Sequence, residues 1–132
     1  PVAVPPPPPL EAPAATTSLP GEPARAATAA LEDCAVPNPP AVPDASTATK
    51  EQMMAARTAF KAFDTATNAY TACVDAAIDK VTKQFPDATP ADQQTLRVLG
   101  TGAHNTAVDQ EQAVADQFNV QVKAFNAKHP GH

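Results

Sequence analysis

Residues 49–85, TKEQMMAARTAFKAFDTATNAYTACVDAAIDKVTKQF, run without a single Gly or Pro, and Pro86 closes the stretch. Thr49 is placed to cap a helix, and Gln52 three residues on completes a capping box. Large or apolar residues recur at Met53, Ala56, Phe60, Phe63, Thr67, Tyr70, Val74, Ala77 and Val81. That alternation of three and four predicts an amphipathic helix with a heptad seam, interrupted by one polar position, Thr67. Beside the seam runs a second stripe, Ala55, Ala59, Ala62, Ala66, Ala69 and Cys73, about 100° away around the helix. One face therefore carries bulk, and its neighbour is a smooth alanine groove ending in a cysteine.

Working outward, Pro86-Asp87-Ala88-Thr89-Pro90 predicts a turn. Thr89 caps the next helix, Pro90 takes its first position and Asp92 sits near its positive end. This second helix is expected over about 90–128. Its apolar stripe is Leu96, Leu99, Ala103, Ala107, Val114, Phe118, Val122 and Phe125. With helix one over about 49–85, the two are each about 55–58 Å long. Equal lengths joined by a short turn imply a long antiparallel helical hairpin, an all-α fold of coiled-coil character. Gly100-Thr101-Gly102 marks either a close backbone approach or a kink; counted from the turn, it lies opposite Ala76 and Ala77.

Upstream the composition changes. Of the 16 prolines, most lie before residue 44, including the run Pro5–Pro9. Residues 1–33 are expected to form a disordered Pro/Ala-rich leader, a tether or a docking peptide, because they hold too few large apolar residues to offset ordering entropy. Only 24–32 are alanine-rich enough for a turn or two of helix. Residues 34–129 are expected to form the folded unit.

The two cysteines allow one intramolecular pair. Cys73 lies about 36 Å along helix one from Thr49. Residues 34–46 contain Pro37, Pro39, Pro40 and Pro43, and as polyproline II they span about 37 Å. A polyproline strand running back along helix one would join Cys34 to Cys73. Pro37, Pro40 and Pro43 would then lie in the groove of Ala59, Ala62, Ala66 and Ala69, beside Tyr70. The competing reading is two buried, inert thiols. A disulfide suits an oxidising compartment, and the opening Pro-Val-Ala-Val-Pro, with no initiator Met, reads as a processed form. The expected location is periplasmic or extracellular.

Cys34-x-x-Pro37, Pro40, Pro43-Asp44, a methionine early in helix one, Tyr70-x-x-Cys73, Asn105-x-Ala107-Val108-Asp109 and Val114-Ala115-x-x-Phe118-Asn119 with Val122 together form a pattern. In it the chain resembles a group of short, uncharacterised, exported bacterial proteins. The resemblance spans residues 34 to about 127 and implies export and a Cys34–Cys73 pair, with no activity attached. Members often carry Gly where this chain has Ala45, and Met where it has Glu111.

The net charge of −5 disfavours nucleic acid and anionic lipid surfaces as partners. No apolar run reaches the ~18 residues of a membrane span, so no membrane insertion is expected. His104, His129 and His132 have no second ligand at helical spacing, and no metal or cofactor is expected. The acids are spread along solvated faces, the only serines are Ser18 and Ser46, and Gly100-x-Gly102 lacks the rest of a phosphate loop. No catalytic residues are assigned. The expected function is a non-catalytic scaffold or interaction protein of the bacterial envelope, with an envelope protein or a second copy as partner. Phe60, Phe63, Val114, Phe118, Val122 and Phe125 form the expected interface. The alternatives are a dimeric carrier of a hydrophobic ligand, lined by Met53, Met54 and the phenylalanines, or an inhibitor of a secreted enzyme.

Overall fold

The computed structural model describes residues 21–129 and contains three helices: α1 (Glu22–Glu32), α2 (Lys50–Gln84) and α3 (Pro90–Lys128). The expected disorder of residues 1–20 lies outside the described residues.

Local chemistry sets the ends of the two long helices. Thr49 Oγ1 accepts from the Gln52 backbone N–H at 3.1 Å, and Gln52 Oε1 accepts from the Thr49 N–H at 2.8 Å, closing the capping box. Thr89 Oγ1 accepts from the Asp92 N–H at 3.1 Å, with Pro90 just inside the start of α3. At the other end of α2 the Phe85 N–H still reaches Val81 O, and Pro86 then has no N–H with which to continue. α3 passes through Gly100 and Gly102 without a break.

α2 and α3 pack antiparallel. The Phe60 and Phe118 rings stack at 6.1 Å, and a Cβ added to Gly100 would stand 3.0 Å from Ile78 Cγ1. Gly100 is thus a point of close approach, opposite Ile78 rather than the alanines expected. Gly102 faces open space.

The simple two-helix hairpin is overturned by α1, which packs on both long helices. Its start is set by Gly21 in the left-handed region (φ 80°) and by Pro23, and its small side chains allow close approach. Ala27 is completely buried in a cluster with Val81 and Leu96, and Ala26, Ala30, Ile78, Phe85 and Leu99 pack against that cluster. Residues 22–32 are therefore a packed helix and not disordered leader, and the body is a three-helix bundle rather than a two-stranded coiled coil. Alanines that look too small to hold a helix down suffice when two larger helices already supply the walls.

The polyproline II strand is overturned as well. Residues 35–44 form no regular element, and Ala59, Ala62, Ala66 and Ala69 are exposed to solvent. The connection lies instead along the valley between α2 and α3. Pro37 is buried near Tyr70, Ala103 and Ala107, while Pro43 lies near Gln117 and Gln121 of α3. The physical reason is polar. An alanine stripe has nothing to offer the backbone of an irregular segment, whereas α3 does: Gln121 Oε1 accepts from the Ala45 N–H at 2.8 Å, and Lys128 Nζ donates to Ser46 O at 2.8 Å. A tight turn prepares that docking. The Ser46 N–H and Oγ both donate to Asp44 Oδ1, and these bonds hold the Asp44 carboxyl below its ordinary range. Ala45 then buries its methyl with Met53 and Phe125.

Candidate functional site: the seam of the long helices

The disulfide expected between Cys34 and Cys73 is present, with Cα atoms 5.8 Å apart. It pins the junction of α1 and the connection to the middle of α2, so the covering layer is anchored at its centre. Cys34 is buried and Cys73 half-buried.

That layer occupies one flank of the α2–α3 seam. At 100° per residue, Tyr70 and Cys73 turn toward it, while Phe60, Asp64, Thr71 and Ile78 turn to the opposite flank. On that second flank α3 presents His104, Val108, Glu111, Ala115, Phe118 and Val122. The proposed interface residues divide accordingly. Phe63, Val114 and Phe125 are buried within the chain and are committed to its own core. Phe60, Phe118 and Val122 are half-buried, the last two packing against the cluster of Ala45, Met53 and Phe125, and Val108 is 42% exposed, so the second flank carries a shallow apolar strip. Phe60 also meets Phe63 edge-on at 6.3 Å.

The seam contains one polar level. Seven residues in from Phe60 is Thr67, and seven back from Phe118 is Glu111; eleven residues from Ile78 and from Gly100 lead to the same two. Thr67 is 1% exposed. Thr67 Oγ1 and Glu111 Oε2 are the two buried side-chain polar atoms, among the described residues, that lack a hydrogen-bond partner. The Asp64 carboxylate, one turn before Thr67, is the negative charge that acts on Glu111 from α2. Burial first, then hydrogen-bonding and charge effects from Asp64, push the Glu111 carboxyl up to about 7.

Periodicity marked Thr67 as the polar break in the first seam, while Glu111 stood out only as a position where the resembled group often carries Met. It gave no sign that the two meet. Ala45 and Gln121 were not marked as packing or bonding positions. Asn105, Asp109 and Asn119 are exposed. Lys83 pairs with Asp79 at 3.0 Å on the surface.

The clefts are shallow. One lies between Val36, Pro37 and Tyr70 on the covered flank, another beneath the α2–α3 turn beside Phe85 and Leu96. Met53 is buried while Met54 is 60% exposed, so the two do not line one cavity. Among the described residues no group of three or more His, Cys, Asp or Glu is placed to hold a metal ion, and no helix is long and apolar enough to cross a membrane. The described residues form a small, compact all-α domain. No family model, no curated protein and no solved structure matches it.

Proposed function

We propose that this chain is an exported, non-catalytic interaction module of the bacterial cell envelope, which presents the uncovered flank of α2 and α3 to a protein partner. The Cys34–Cys73 disulfide supports the compartment, because such bonds persist where thiols are not kept reduced. The single observation that carries the mode of action is the asymmetry of the seam. α1 and the connection cover one flank, and Phe60, Val108, Phe118 and Val122 are left part-exposed on the other. Rigid helices more than 50 Å long with one apolar strip form a docking surface and not a reaction vessel. A second copy is the simplest partner, since two such strips pressed together give a four-helix core.

A photo-crosslinking residue at Val108, compared with one at Ala66 on the solvated alanine face, tests the reading in envelope-localised protein. Adducts from Val108 and none from Ala66 are expected. Equal yields, or none from either, overturn it. Sedimentation equilibrium at micromolar concentration separates the partners: a single species at 13.6 kDa removes the homodimer and leaves a different envelope protein.

A further inference from the structure

We infer that the uncovered flank docks a second copy of this chain about a two-fold axis at the level of Phe60, where Arg57 of each copy meets Asp64 of the other. The inference rests on the docking-flank reading above and names its partner.

Three residues of α2 carry the charge pattern. Arg57 and Asp64 are seven apart, so they lie about 20° from each other around the helix and about 10.5 Å apart along it. Phe60 falls between them, about 40–60° nearer the seam. The face therefore runs cation, aromatic, anion. Turned end to end, such a series matches itself: aromatic falls on aromatic, and each charge on its opposite. Both charged residues are exposed, and Phe60 is half-buried. Arg57 has no ion pair or hydrogen bond among the described residues.

α3 obeys the same axis. Phe118 stacks on Phe60 at 6.1 Å, so a two-fold at the level of one ring passes the other as well. Phe118 then meets its counterpart beside the Phe60 pair, and Val122 of one copy falls beside Ala115 of the other. Four rings form the centre, where offset-stacked and edge-on pairs add to the burial. An isologous contact of this kind uses every interaction twice.

A different register loses either the rings or the charges. Setting Arg57 against Asp75 would place Phe60 opposite Ala72. Asp79 is already paired with Lys83 at 3.0 Å. The net charge of −5 makes two copies repel at long range. The patch around Phe60 is balanced instead, with Arg57 and Lys61 against Asp64 and Glu111. Lys61, one turn before Asp64, stays at the solvent edge. A balanced, self-matching patch on an acidic chain fits a second copy better than a partner of strong net charge. With the axis at Phe60, the overlap runs from the start of α2 to about Thr71 and leaves Ile78 and His104 outside it.

Sedimentation equilibrium of the intact, disulfide-bonded chain is the test, run on the parent, Arg57→Asp, Asp64→Arg and the double variant. The parent is expected to dimerise at micromolar concentration. Each single reversal sets like charges together twice and is expected to weaken the dimer about tenfold or more. The double variant puts opposite charges back in place and is expected to return to within about threefold of the parent. A dimer unmoved by either single reversal overturns the inference, and so does a double variant no tighter than the singles. A parent that stays at 13.6 kDa overturns it as well; Val108 adducts to another protein would then leave the docking flank itself standing. If a variant fails to fold, isotope-filtered NOEs in a mixture of labelled and unlabelled parent decide. Contacts between Phe60 rings of different copies support the axis, and contacts at Ile78 in their place overturn it.

Discussion

The two ends of the α2–α3 pair are closed by different means. At the turn end a helix does it: α1 inserts Ala27 between Val81 and Leu96, and its own backbone hydrogen bonds are already made. At the far end an irregular loop inserts Ala45 beside Met53 and Phe125, and its backbone needs Gln121 and Lys128 from α3. Both ends bury an alanine methyl. The first is held by apolar contact, which tolerates small shifts, and the second by a few directional bonds, which do not. A third layer can therefore be helix or loop, provided its backbone groups have partners.

The disulfide joins the two regimes, so removing it is the largest perturbation. In the chain-entropy model, reducing a bond between residues 39 apart costs about 4 kcal/mol. Reduction is expected to lower the urea midpoint and to expose Ala45 amide exchange before that of α1. If α1 opens first, the loop end is not the weaker closure.

Leu96→Ala comes next. Leu96 is 2% exposed, and truncating a buried leucine costs about 3 kcal/mol where the site cannot collapse. Equilibrium unfolding measures it, and a loss under 1 kcal/mol would show that α1 slides in to fill the space.

Gln121→Ala tests the loop end alone. It leaves the Ala45 N–H without its partner, and an expected loss of about 1–2 kcal/mol follows. Thr47 and Ala48 should show local amide-shift changes while α1 stays unmoved. Matching changes in α1 would mean that the two closures form one cooperative unit.

Ala66→Leu has the smallest expected effect, within about 0.5 kcal/mol. Ala66 is exposed, and a thermal melt displaced well beyond that would return the connection to the alanine face.

Much of the bundle is legible in the sequence, and for local reasons. Thr49, Gln52, Thr89 and Pro90 mark the helix starts through bonds spanning three residues, so no knowledge of the fold is needed to find them. Met53, Phe63, Val74, Val81, Leu96, Val114 and Phe125 follow from helical period alone and are all buried. The cysteine pair is present, but the polyproline II strand whose length pointed to it is not, so the pairing is right and the route to it is not.

Which valley the connection occupies, whether residues 22–32 form a helix, and whether Thr67 meets Glu111 were decided only in three dimensions. An alanine stripe looks the same in one dimension whether it receives a neighbour or faces water. The choice belongs to α3, whose Gln121 and Lys128 satisfy the loop backbone more than 70 positions away in sequence. α1 holds its conformation because walls built by Val81 and Leu96 already wait for a methyl group. Thr67 and Glu111 share a level because the ring stack and the Gly100 approach fix the register. Caps and periodicity are written along a single helix; register and docking arise between helices, where the partner's side chains set the free energy.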